Sequence, residues 1–248
     1  MIQSHTGIVI REHLGHYVVK VPEGYIIDCT ISSKLRKSLI YPEADPSSRR
    51  RRVIAVRGIK TIVPVSIGDD VRFDYTDGKT GVIREVLPRR SKLSRRAAGQ
   101  KHLEQIIIAN VNQVLPVFAV AAPEPNLRML DRFIAIAEVE GIETVICMNK
   151  IDLDPEYRIR ETMSLYERIG YRVIFTSALR GEGIEEFLEC LRGKISVLTG
   201  SSGVGKTSLL NAIQPGLGLR VRELSERTGK GRHTTAHLEL IELDDGGM

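Results

Sequence analysis

The stretch "GSSGVGKTS" at 200–208 constrains this chain more than any other nine residues in it. Gly200, Gly205, Lys206 and Thr207 fit G-x-x-x-x-G-K-[ST], the spacing of a loop whose backbone N–H groups wrap a phosphate chain. Glycines let the backbone approach phosphate oxygens, and a helix opening at the loop adds its N-terminal dipole. The candidate cradle is Gly200, Ser201, Ser202, Gly203, Val204 and Gly205, followed by Lys206, Thr207 and Ser208. Lys206 would reach the β- and γ-oxygens as the charge-stabilising catalytic group, and the Thr207 hydroxyl would hold Mg²⁺. The plain alternative is an ordinary glycine-rich turn. The flanks argue against it, because an apolar "KISVL" ends at the loop and "KTSLLNAI" begins a helix.

Such a loop usually opens its fold, whereas here it comes after a segment that looks like its base-reading partner, "NKID" at 149–152. Asp152 would accept hydrogen bonds from guanine N1–H and N2–H₂, a donor pair that adenine lacks, so a mismatched base leaves buried polar groups unpaired. Asn149 would position the base edge and the loop, the Lys150 stem would stack on the purine, and Ile151 completes the motif. Taken alone, the four residues are also a turn with Asp152 capping the next helix. "TSAL" at 176–179 ends the following strand, where Ser177 and Ala178 would support the base through a backbone amide. "GEGI" at 181–184 reads as a turn into a helix. Downstream, "RTGKGRHTTAH" at 227–237 is either a solvated loop or a switch. In the switch reading Thr234 or Thr235 joins the Mg²⁺ shell when a γ-phosphate is present, Thr235 being the metal candidate. His233 and His237 lie in the same segment.

Around these motifs the second half alternates buried strands and helices. "QVLPVFAVAA" (113–122), "ETVICMN" (143–149), "RVIFTSA" (172–178) and "KISVLTG" (194–200) are near-continuous apolar runs, as in a parallel sheet. Helical segments are expected at about 127–140, 156–169 and 183–192, on both faces of that sheet. Pro116 is awkward inside the first strand, since it cannot donate to a ladder.

Residues 1–87 read differently. "TGIVIRE", "HYVVKV", "GYIIDCTI", "DDVRFDY" and "TGVIREVL" are five short strands with a longer connection after the third. That pattern suggests a small OB-like closed barrel, with a mobile loop at roughly 34–52. Residues 88–102 read as a basic linker, and 103–248 as the nucleotide domain. Charge follows the same division. Residues 1–100 hold 19 Lys/Arg against 10 Asp/Glu, a net of +9, and residues 101–248 hold 17 against 21, a net of −4. "RRRR" at 49–52 and "RRSKLSRR" at 89–96 are solvated loops or part of a polyanion-binding surface, and two such runs in one segment favour a polyanion partner.

No apolar run approaches the ~18 residues that span a bilayer, and the start carries no signal-peptide pattern. Three scattered cysteines, Cys29, Cys147 and Cys190, have no metal-ligand spacing and suit a reducing cytoplasm.

Base motif, then "TSAL", then phosphate loop, then the threonine-containing loop is the order of a circularly permuted GTPase. With the basic N-terminal barrel and the blocks "NKIDL", "GSSGVGKTSLLN" and "GRHTT", the chain resembles the ribosome small-subunit-dependent GTPase A (RsgA) family over essentially its whole length. The resemblance implies a monomeric cytoplasmic GTPase that binds GTP or GDP with Mg²⁺, contacts the 30S subunit and its 16S rRNA, and assists late 30S maturation. It also implies a D-T-P-G motif and a zinc-holding C-terminal domain. This sequence ends at "LELIELDDGGM" without either, and so without the zinc ligands. From that departure we expect impaired hydrolysis. An RNA-binding protein with a passive guanine-nucleotide domain is the alternative reading. An ATP-dependent small-molecule kinase is a third, which NKID argues against.

Overall fold

Along Ile26–Ile31 every second side chain is buried: Ile27, Cys29 and Ile31 point inward while Ile26 and Asp28 face water. That period of two is the sequence signature of a strand with one covered face, and five such strands close on themselves. In the computed structural model, which describes residues 4–37, 39–40, 55–56, 64–96, 104–156, 158–217 and 239–248, β1 is His5–His13, β2 His16–Lys20 and β3 Ile26–Ile31. Helix α1 (Ser33–Lys37) and the two-residue pair β4 (Leu39–Ile40) and β5 (Ala55–Val56) follow. Then come β6 (Asp70–Tyr75) and β7 (Thr80–Val86). The barrel order is β1-β2-β3-β7-β6, with β3 and β7 parallel and β1 antiparallel to β6. Val9, Val19, Ile27, Cys29, Val71, Phe73 and Ile83 fill it.

The five expected barrel strands are therefore present. The connection expected to be a mobile loop instead begins with α1, whose first turn is held by Leu35 N–H donating to Ser32 Oγ at 3.3 Å. Arg49–Arg52 lie outside the described residues.

The segment expected to be a linker contains β8 (Lys92–Arg96), paired antiparallel with β9 (Glu104–Ala109). The described residues fall into two compact units that divide between Asn110 and Val111, residues 239–241 going with the first and 242–248 with the second. Arg89 also departs from expectation. Instead of offering its charge to a polyanion, it grips the fully buried Asp69 through Nε (2.6 Å) and Nη2 (2.7 Å). Asp69 in turn accepts the Ser66 N–H at 2.7 Å. A buried carboxylate needs such a partner, so this arginine is structural. Lys92 is likewise paired, with Glu104.

The second unit is a four-stranded parallel sheet of order β12-β11-β10-β13. Its strands are β10 (Gln113–Ala119), β11 (Glu143–Asn149), β12 (Arg172–Thr176) and β13 (Ser196–Thr199). Helices α2 (Leu127–Val139) and α3 (Arg158–Arg168) cover one face, meeting Phe118, Ile146 and Met148. Helices α4 (Ile184–Leu191) and α5 (Lys206–Ile213) cover the other, meeting Leu115, Val117 and Cys147. Apolar residues on both sides of each strand are what both-face coverage requires.

Pro116 sits in a central strand after all. It registers with Thr199 of β13, and the ladder to β11 skips Leu115 and Pro116 while keeping its register. No helix among the described residues is long and apolar enough to cross a membrane.

Candidate nucleotide site

Because all four strands of the second unit are parallel, Ala119, Asn149, Thr176 and Thr199 end at one edge of the sheet. Ligand loops of open α/β sheets gather at that edge. The phosphate loop leaves β13 at Gly200, whose φ of +143° and close approach exclude a side chain: a Cβ would lie 2.1 Å from the Val117 carbonyl oxygen. Val204 and Leu209, both buried, pin the loop and α5 to the core beneath. Gly205, with φ +97°, caps α5, and Leu209 N–H donates to its carbonyl at 2.9 Å.

Three motifs distant in sequence meet on one side chain. Asn149 is 1% exposed, and its Nδ2 donates to the Val204 carbonyl in the phosphate loop at 2.9 Å. Its Oδ1 accepts from Thr176 Oγ1 at 3.1 Å and from the Ala178 N–H at 3.3 Å. A Cβ on Gly205 would fall 2.2 Å from Asn149 Nδ2, so a side chain at that place would displace the amide that joins the motifs. The Ala178 amide, expected to face the base, is directed at Asn149 here.

Lys150 adopts a left-handed backbone conformation (φ +63°) and donates to the Ala122 carbonyl. It turns the chain into the short 3₁₀ helix Ile151–Leu153, in which Ile151 is buried. Asp152 accepts the Ser177 hydroxyl on Oδ1 at 2.5 Å. One carboxylate oxygen is thereby fixed, which orients the other. Ser177 is fully buried and its N–H donates to the Glu182 carbonyl at 2.9 Å. "GEGI" is the expected turn, with Gly183 capping α4.

Lys206 Nζ donates to the Gly200 and Ser201 carbonyls, both at 2.8 Å, so its ammonium is held over the loop. Burial pushes its pKa below the usual lysine value. The charged form is the one a phosphate needs, so triphosphate affinity should fall as pH rises through the alkaline range. Lys206→Ala should lose triphosphate binding with a circular dichroism melt near that of the unaltered protein. Retained tight binding would make the loop a mere turn.

The half-buried Thr207 stands in the first turn of α5. A single hard hydroxyl fits Mg²⁺, which prefers oxygen donors and completes its shell with phosphate and water. Zinc does not fit. Among the described residues no group of three or more His, Cys, Asp or Glu side chains is placed to hold a metal ion. The three cysteines are free and buried, and burial pushes Cys29 and Cys147 up to about 12. Thr234, Thr235, His233 and His237 lie outside the described residues. Thr176, which begins "TSAL", has no role in the sequence reading; strand register alone sets it beside Asn149.

A parallel sheet with a phosphate loop on its last strand, and a base motif two strands earlier in the chain, defines a circularly permuted GTPase domain behind an OB-like barrel. Solved structures agree. The crystal structure of YjeQ from Thermotoga maritima superposes with TM-score 0.70 at 33% identity, over 99% of this chain and 73% of that one. YloQ, a circularly permuted GTPase, superposes with TM-score 0.61 at 28% identity, over 86% and 66%. A family model described as RsgA GTPase matches residues 86–248. The small ribosomal subunit biogenesis GTPase RsgA of Moorella thermoacetica is 47% identical over 242 residues, 97% of this chain and 71% of that protein. That of Caldanaerobacter subterraneus is 37% identical over 241 residues, covering 97% and 70%. The chain belongs to the RsgA GTPase family.

Proposed function

We propose that this protein binds and hydrolyses GTP and serves the biogenesis of the small ribosomal subunit, the role named for its relatives. Within that role it contacts the 30S subunit and its 16S rRNA through the barrel, acts late in maturation, and works as a cytoplasmic monomer. The observation that carries the nucleotide reading is Asn149, whose amide joins NKID, TSAL and the phosphate loop into one site. Asp152 with Ser177 reads guanine, and Lys206 steadies the phosphate oxygens. The Thr207 hydroxyl, with Thr235 or Thr234 in the triphosphate state, would hold Mg²⁺. When bound, that ion offsets the charge that develops on the phosphate oxygens as water displaces GDP from the γ-phosphoryl group.

Competition among GTP, GDP and ATP tests the base assignment. Asp152→Asn should weaken GTP and GDP by about 1–3 kcal/mol, the effect of an unmatched polar group, and should shift preference toward xanthine nucleotides. Unchanged GDP affinity in this variant would remove Asp152 from the site. Turnover of GTP with and without 30S subunits tests the remainder: hydrolysis stimulated by the subunit is expected, and binding without turnover would leave a passive nucleotide domain.

A further inference from the structure

Barrel strand β1 outruns its neighbour. It extends from His5 to His13, but β6 begins at Asp70, opposite Ile8. Past that point the turn before β6 serves Val9, whose N–H donates to the Asp69 carbonyl (2.9 Å) and whose carbonyl accepts the Gly68 N–H (2.7 Å). The next positions along this edge are covered by residues 239–240. Arg11 and Glu239 form an antiparallel bridge, and Leu240 N–H donates to the Ile10 carbonyl at 2.9 Å. A bulge presents that carbonyl. The register of β1 on β2 steps from Val9↔Val19 to Arg11↔Val18, so Ile10 has no register partner on β2. Leu240 is buried. The strap is thus anchored by a backbone bond and an apolar side chain, independently of what Glu239 does.

The Glu239 side chain has its own contact: its Oε1 lies 2.6 Å from Arg11 Nη2. Both groups line a cavity of about 630 Å³ on the barrel, together with His13, His16 and two further carboxylates, Asp28 and Glu12, the latter accepting the Gly15 N–H. Arg11 is the one permanent cation among the described lining residues, and His16 already faces Asp28 at 3.2 Å. The pair is half exposed, 49% for Arg11 and 42% for Glu239, and such pairs are weak. A guanidinium held by a weak, solvent-accessible carboxylate is available to a stronger oxyanion.

We infer that Arg11 is a phosphate contact of the barrel and that Glu239 is its built-in competitor for RNA. This rests on the reading of the barrel as the RNA-binding unit. When RNA binds, the Arg11 guanidinium exchanges the carboxylate for a backbone phosphate, and the freed Glu239 carboxylate recruits a cation from solution. Holding Arg11 on Glu239 costs the phosphate contact most where charges are least screened, so the charge on Glu239 should flatten the salt dependence of binding.

The test uses the full chain and a short fluorescein-labelled RNA duplex titrated across a range of salt. Glu239→Gln keeps the side-chain shape and the strap, which the Leu240 amide reports by unchanged hydrogen exchange in the absence of RNA. This variant should bind about two- to five-fold more tightly at low salt, with a steeper log K against log salt slope because the gain shrinks as salt screens the pair. Arg11→Gln should bind more weakly than the unaltered protein, and adding Glu239→Gln to it should then change nothing. Binding by Glu239→Gln alone, with none by the unaltered protein, would also support the inference. Equal affinity and slope for the unaltered protein and Glu239→Gln would overturn it while leaving the RNA reading intact. An Arg11→Gln background in which Glu239→Gln still tightens binding would reduce the effect to net charge and overturn it as well. If no variant binds RNA while GTP binding persists, the inference and the RNA reading of the barrel fall together.

Discussion

Asn149→Ala is expected to weaken GTP and GDP alike by roughly 30- to 700-fold. The side chain makes three hydrogen bonds in a buried setting, to the Val204 carbonyl, Thr176 Oγ1 and the Ala178 N–H. At a net ~0.5–1.5 kcal/mol each, their joint loss is about 2–4 kcal/mol. The effect should fall on both nucleotides, because what is lost is the alignment of the phosphate loop with the base motif rather than a γ-phosphate contact. Thr176→Val removes one of the three bonds and should show a fraction of the effect. In the Asn149→Ala background it should add little, since coupled residues are non-additive. Titration with a fluorescent GDP analogue reads both. An Asn149→Ala protein that binds GDP normally would mean the three motifs align without their shared amide.

Gly200→Ala should unfold the nucleotide unit at a markedly lower temperature. The new Cβ would stand 2.1 Å from the Val117 carbonyl oxygen, a backbone atom of the central strand, at a φ of +143° that side chains rarely adopt. Backbone strain of ~1–3 kcal/mol and overpacking of ~1–3 kcal/mol together take a large share of a typical ~5–15 kcal/mol stability. Gly205→Ala is the informative contrast. Its Cβ would meet the end of the Asn149 side chain, at 2.2 Å, rather than backbone, although its φ of +97° also strains a side chain. That variant should therefore lose nucleotide affinity with a smaller drop in melting temperature. Equal melts for the unaltered protein and Gly200→Ala would contradict the path of the loop against β10.

The barrel and the sheet were both legible in advance, for related reasons. A strand with one covered face writes a period of two, as in Ile26–Ile31, and a strand covered on both faces writes an apolar run, as in Glu143–Asn149. Local chemistry also announced the phosphate loop and NKID, because a phosphate needs glycines and a cation at fixed spacing whatever surrounds them. Pro116 shows the limit of such rules. Its missing donor argued against a central strand, yet the ladder skips it without losing register.

Tertiary structure alone decided how charges and amides are used. In sequence, Arg89 is one more member of a basic run; in the fold its fork meets Asp69, buried 20 residues away along the chain. Thr176 looks like an ordinary strand residue until β12 is laid beside β11, which sets it level with Asn149 and turns its hydroxyl toward that amide. Glu239 gives no local sign that it covers the overhanging edge of β1 at Arg11. The sequence by itself determined the element types and the ligand chemistry, because periodicity and motif spacing are short-range properties of the chain. Which polar group satisfies which was decided only in three dimensions, because a hydrogen bond depends on distance and direction between atoms that strand register and sheet order bring together.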